Sequence, residues 1–168
     1  MFSLIVHGLL GIATIVLIVR TNPAVFRRVA GGPTLSTLET ALYVVGIASI
    51  IAGWSFNVTF VVQNTHGFFT NPFVGNGSWQ QYLKLMFANP AAGSAGIDFS
   101  IANVLALPLI TIVDGRRRGI NKPWLYFVLT LFASFTSGWA FYAATVERQR
   151  RLAGDREQVA AGAPTGAR

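Results

Sequence analysis

Pro123-Trp-Leu-Tyr-Phe-Val-Leu-Thr-Leu-Phe-Ala-Ser-Phe-Thr-Ser-Gly-Trp-Ala-Phe-Tyr-Ala-Ala-Thr-Val146 contains no charged residue. Neither do Met1 to Val19, Thr40 to Leu83 and Phe99 to Val113. A charge at the centre of a bilayer costs roughly 2.5 kcal/mol or more and is driven to helix ends. A helix needs roughly 20 apolar residues to cross the hydrocarbon. The charge-free stretches accordingly yield four spans, Phe2 to Val19, Thr40 to Val62, Ala95 to Val113 and Pro123 to Val146. Each can satisfy its backbone polar groups internally, as a bilayer demands. The pattern predicts an all-α protein, a transmembrane four-helix bundle over residues 1–151. A short interfacial helix lies between the second and third helices, and residues 152–168 form a disordered tail.

Composition agrees with these spans. The 168 residues are 52% hydrophobic and 11% charged, whereas soluble domains carry about 25% charged residues. The net charge of +7 argues against nucleic acid as a partner, because the basic residues flank apolar spans instead of lining one face. They read as topology signals and phospholipid contacts. The absence of cysteine excludes disulfides, thiolate metal sites, cysteine nucleophiles and covalently attached haem. The first span has no basic leader and no small-x-small site before Arg20, so it reads as a retained anchor and not a cleaved signal.

Arg27 and Arg28 lie in the first loop, and Arg116, Arg117, Arg118 and Lys122 in the third. The positive-inside rule puts both loops in the cytoplasm, with the amino terminus and the second loop outside. Four crossings then send the tail outside. Arg148, Arg150 and Arg151 contradict that placement. In the second loop, turn formers at Asn71-Pro72, Gly75-Asn76-Gly77 and Asn89-Pro90 bracket Trp79-Gln-Gln-Tyr-Leu-Lys-Leu-Met-Phe87. Its aromatics and single lysine suit a helix lying across the end of the bundle.

At about 100° per residue each span shows one small or polar stripe. Ser3, His7, Gly11 and Thr14 align on the first; Gly46, Ser49, Gly53, Asn57 and Asn64 on the second; Ser100, Asn103 and Thr111 on the third; Thr130, Ser134, Ser137 and Thr145 on the fourth. In lipid, association rests on close packing at small residues and on modest interhelical hydrogen bonds, so these stripes face inward. Ser49 with Gly53 and Ser134 with Gly138 make two small-xxx-small pairs. Pro108 should bend the third helix or free a carbonyl. The larger polar groups gather in the half away from the basic loops. There they either bond one another across the bundle or line a polar cavity comprising His7, Asn57, Asn64, His66, Asp98, Asn103, Ser134 and Ser137.

Asp98 is the acid best placed for chemistry, but in the first turn of a helix it also complements the macrodipole without any ligand. By angle it faces away from Ser100 and Asn103. Glu39 reads as a helix-start acid or a partner for Arg27 or Arg28. His7 and His66 could in principle ligate a b-type haem, or a metal with Asp98, yet no histidine pair repeats on one helix. No cofactor and no metal is expected. Nucleophile-elbow, phosphate-loop, dinucleotide and zinc motifs are all missing from the sequence.

From roughly Trp54 to Arg151 the chain resembles a family of small bacterial membrane proteins of unknown function, DUF2834. The resemblance is carried by Phe87-Ala-Asn-Pro-Ala-Ala-Gly-Ser-Ala-Gly-Ile-Asp98, by an apolar helix ending in Asp114-Gly-Arg-Arg-Arg-Gly, and by a last helix entered at Trp124 and left through Glu147-Arg148. It implies a helical membrane protein with an Asp opening one helix and a basic hairpin before the next, and it implies no activity. Asp114 stands where a glutamate is expected, Ser137-Gly-Trp-Ala-Phe replaces a leucine- and proline-rich ending, and the first helix is additional.

The expected function is that of a non-catalytic multi-pass protein of the bacterial cytoplasmic membrane, acting as an accessory or interaction subunit or a lipid-binding scaffold. Its partners are membrane lipids, with other integral membrane proteins or a second copy as further candidates. The alternative is a membrane enzyme or small transporter using the outer-half cavity, with Asp98 as proton carrier and a lipid, isoprenoid or small solute as substrate.

Overall fold

A computed structural model describes residues 2–28, 33–69 and 71–162, and every regular element among them is helical. Helix α1 is Phe2–Thr21, the single turn α2 is Pro23–Phe26, α3 is Thr37–Asn64 and α4 is Trp79–Met86. Next comes one long helix made of α5 (Pro90–Ser100), a π-helical stretch (Ile101–Ala106) and α6 (Leu107–Arg117). The chain ends in α7 (Leu125–Phe132) and α8 (Phe135–Gly162). Three helices are long and apolar enough to cross a membrane: Phe2–Thr21, Thr37–Asn64 and Pro90–Arg117.

Local chemistry explains their ends. Ser36 caps α3 in a capping box, accepting from the Glu39 N–H at 3.1 Å while the Ser36 N–H donates to Glu39 Oε2 at 2.6 Å. Asn89 caps α5 by accepting from the Ala92 N–H at 2.9 Å, and Pro90 occupies the first helical position, where its missing N–H costs nothing. The π-helical stretch precedes Pro108. Leu107 N–H reaches back five residues to the Ala102 carbonyl, a π-type bond directly before Pro108, which has no N–H to donate.

The fourth expected span is not one helix. It breaks at Ala133-Ser134 and folds back as a hairpin, so that Tyr126, near its start, donates a hydrogen bond to Thr145 Oγ1, near its end, at 2.8 Å. Ser134 and Ser137 cap the break. Ser134 Oγ accepts from the Ser137 N–H at 3.1 Å and Ser137 Oγ accepts from the Ser134 N–H at 3.2 Å, which is a capping box with serine in the position usually held by Glu or Gln. Gly138 lets the two arms touch. A Cβ there would overlap Thr130 Cγ2 and lie 2.9 Å from the Tyr126 carbonyl oxygen.

The hairpin is the core. Tyr126 and Leu129 are 0% and 1% exposed, packed with Leu125, Tyr142 and Ile18 of α1. Helix α1 runs beside α7, α3 lies along α8, and Leu107 of the long helix approaches Gly138. The outer faces of these three helices are apolar and exposed, Ile51 at 67% and Phe56 at 78%.

Folding back also changes which end the last arginines occupy. Arg148 Nε donates to the Val25 carbonyl at 3.0 Å and Nη2 to the Arg27 carbonyl at 2.8 Å, while Gln149 reaches the Arg118 carbonyl at 3.2 Å. The first loop, the third loop and the last arginines therefore share one end of the molecule, the basic end. Helix α8 also runs on to Gly162, through residues expected to belong to a disordered tail. Extending an existing helix needs no new nucleus, and the Glu147–Arg150 pair and the burial of Leu152 support it. Residues 163–168 of that tail lie outside the described residues.

Candidate functional site

Beginning at the end opposite the arginines, α4 lies across α1, α3 and α5 as a cap. His7 Nδ1 bonds the Ser3 carbonyl at 2.8 Å, and Nε2 accepts from Trp79 Nε1–H at 3.2 Å with the rings stacked, which makes Nδ1 the protonated nitrogen of a neutral imidazole. Gln81 Nε2 donates to Asn64 Oδ1 at 3.0 Å, Phe60 meets Tyr82 edge-on, and Met86 packs on Gly96. Trp79 and Gln81 thus hold the cap down, while Gln80 and Lys84 face outward.

One level deeper is the hairpin tip. Ser49 of α3 and Ser134 share a hydrogen bond of 2.6 Å, and Trp54 Nε1 donates to the Ala133 carbonyl at 2.9 Å, satisfying a backbone group exposed by the chain reversal. Asn103, in the π-helical stretch, accepts from Trp139 Nε1 at 3.0 Å and donates to the Phe99 carbonyl at 2.9 Å. Thr111 Oγ1 is the buried polar side-chain atom without a partner among the described residues.

At the basic end two charged clusters occur. Glu39, 0% exposed, pairs with Arg148 at 3.1 Å and with Arg151. Arg148 also donates to the Thr34 carbonyl at 3.0 Å, and Arg151 to the Pro33 carbonyl at 2.6 Å. The hydrogen bonds of Arg148 and Arg151 run to the first loop and to Glu39. In the second cluster, Asp114 Oδ2 accepts from Arg118 Nε at 2.6 Å and from the Tyr142 hydroxyl at 2.7 Å.

The residues singled out from the sequence do not converge on one cavity. His7 and Asn64 belong to the cap, Ser134 and Ser137 to the hairpin tip, and Asn103 to its bond with Trp139. Asn57 is half-buried on α3, and His66 and Asp98 are exposed. Among the described residues no group of three or more His, Asp or Glu side chains could hold a metal ion. Arg27, Arg28, Arg116, Arg117, Arg118 and Lys122 are all exposed at the basic end. Glu39 does open its helix as expected, but its partners are Arg148 and Arg151 and not Arg27 or Arg28. Four participants went unnoticed in the sequence: Trp54, Trp139, Tyr126 and Tyr142. The available signal was chemical, since a tryptophan or tyrosine inside an apolar stretch needs an acceptor for its N–H or O–H.

A family model described as a protein of unknown function, DUF2834, matches residues 41–148. The match takes in nearly all of α3, the cap, the long third helix and the hairpin as far as Arg148, and leaves out α1. No curated protein and no solved structure matches the chain.

Proposed function

The chain belongs to the DUF2834 family of proteins of unknown function, and from that premise we propose that it is a non-catalytic, multi-pass protein of the bacterial cytoplasmic membrane that works as an accessory or interaction subunit. Its bundle has three crossings, α1, α3 and the Pro90–Arg117 helix, around a hairpin that enters and leaves on the same side. The positive-inside rule makes the basic end cytoplasmic, now with Arg148, Arg150 and Arg151 on the same side as the two basic loops, so that the conflict raised by four crossings disappears.

One observation carries the non-catalytic reading. Polar side chains inside the bundle pair with one another, His7 with Trp79, Asn64 with Gln81, Ser49 with Ser134, Asn103 with Trp139 and Glu39 with Arg148, and half-buried Asn57 stands outside these pairs. What the molecule presents outward is a broad apolar surface on three helices, suited to lipid and to neighbouring membrane helices. The alternative built on Asp98 draws less support, because that carboxylate is exposed and apart from buried Asn103. Affinity isolation in native lipid tests the proposal. A stoichiometric membrane partner or a second copy is expected, and recovery of a bare monomer would count against it.

A further inference from the structure

Grooves open along the helix contacts of the bundle. One lies between α1 and α3, is lined by Leu4, Gly8, Leu9, Trp54 and Val58 among others, and includes no charged residue. Another, of about 450 Å³, opens at the basic end where α3 lies along α8 and Asp114 of α6 accepts from Tyr142 of α8. Its walls are Leu38 and Leu42 of α3 and Ala143 and Val146 of α8, and its polar side is formed by Asp114 and Glu147. It follows α8 from Glu147 to Trp139, roughly 12 Å at 1.5 Å per residue.

Each lining carboxylate carries a guanidinium. Asp114 holds Arg118 through Nε at 2.6 Å, and Glu147 holds Arg150 through Nε at 3.0 Å and Nη2 at 3.2 Å. The two arginine side chains remain 42% and 78% exposed. Both guanidiniums lie at one groove, since the carboxylates that hold them, Asp114 and Glu147, line it together. A guanidinium has five N–H donors, so both keep donors for a further acceptor after these pairings. With Arg116 and Arg117 beside them, the mouth is positive overall despite its two carboxylates. An apolar slot whose open end carries oriented, partly exposed guanidiniums matches a molecule with an apolar chain and an anionic, oxygen-rich head. A partner helix seated there would cover both arginines and take their remaining donors out of water, which costs free energy unless it supplies acceptors.

We infer that this groove binds one acyl chain of an anionic phospholipid, with Arg118 and Arg150 holding its phosphate. The inference rests on the membrane reading above. Charge-assisted hydrogen bonds to phosphate select the head, while dispersion contacts along Leu42, Ala143 and Trp139 seat the chain.

Native mass spectrometry of the full chain, released from membranes containing phosphatidylglycerol and phosphatidylcholine with identical chains, tests the site. The wild type should retain one phosphatidylglycerol with roughly tenfold preference. Arg118→Gln with Arg150→Gln should bring that preference near unity while a lipid stays bound. Ala143→Phe, which fills the slot, should remove the retained lipid, and Ala143→Leu gives the same reading if the larger ring prevents folding. Equal retention of both lipids by the wild type, or unchanged phosphatidylglycerol retention by the filled variants, would overturn the site alone. Release of the chain from membranes by alkaline carbonate would instead overturn the membrane reading, and the site with it.

Discussion

The shell of the molecule and the hairpin it surrounds are both built from apolar residues, but they use them in opposite ways. On α1, α3 and the Pro90–Arg117 helix, large aliphatic and aromatic side chains point outward, as at Leu9, Ile51, Phe56 and Leu109. In the hairpin, Leu125, Leu129 and Tyr126 are enclosed. Apolar content does not separate inside from outside when the surroundings are themselves apolar. The separation lies in polar atoms and small residues. Tyr126, Thr130, Ser134, Ser137, Gly138, Tyr142 and Thr145 crowd into the hairpin, where each hydroxyl has a partner and the glycine brings two backbones together.

The contrast is broken most decisively by sidedness. A reporter fused after Gly162 is expected on the same face as one in the first loop, and opposite one placed between α3 and α4. A tail reporter on the far side would mean that residues 123–146 cross the membrane and that no hairpin forms. The next largest effect belongs to the latch that fastens α8 to the shell. Arg148→Ala leaves Glu39 buried beside a weakened partner set and should destabilise the protein by ~3–5 kcal/mol in denaturant titrations in micelles. Glu39→Leu combined with Arg148→Leu should recover a large part of that loss, because the unpaired buried charge is then gone.

Two glycines sharpen the contrast further. Gly138→Ala, inside the hairpin, should cost about 1–3 kcal/mol through overpacking against Thr130 and the Tyr126 carbonyl. Gly53→Ala, on the shell, would place its Cβ 4.0 Å from Ser134 Cβ, an ordinary contact, and should stay within about 0.5 kcal/mol of the wild type. Thermal unfolding of both variants in one detergent compares them directly. At the tip, Ser134→Ala removes the cap of α8 at a cost of ~1 kcal/mol, between the effects of the two glycine variants. A helix that straightened instead would show unchanged or increased stability.

Much of this was legible residue by residue. The stripe of Gly46, Ser49 and Gly53 does face α8, and Ser49 does bond across the bundle. Asn89-Pro90 reads as a turn ahead of a span beginning at Ala95, and instead it caps and opens α5 five residues earlier. The segment Trp79 to Phe87 reads as a short helix over the end of the bundle and forms α4. Ser134 and Ser137 were legible as an inward polar stripe, and Ser134 does bond across to Ser49, but their part in the chain reversal was not read. On one helix they align as a stripe, and the same Ser-x-x-Ser spacing equally encodes a helix start. Likewise Ser49–Gly53 and Ser134–Gly138 look alike as small-xxx-small pairs. Only the second sits at a contact too close for a methyl group.

The sequence by itself determined which segments avoid charge, how long they are and which faces are small or polar, because those properties depend on neighbours within one helix. The tertiary structure alone decided that the last apolar segment folds back, that Arg148 and Arg151 close on Glu39, and that the tail shares an end with the basic loops. Those outcomes depend on Tyr126 meeting Thr145 and Gly138 admitting Thr130. Such contacts form between parts of the chain whose local preferences are satisfied equally well by a straight helix and by a hairpin.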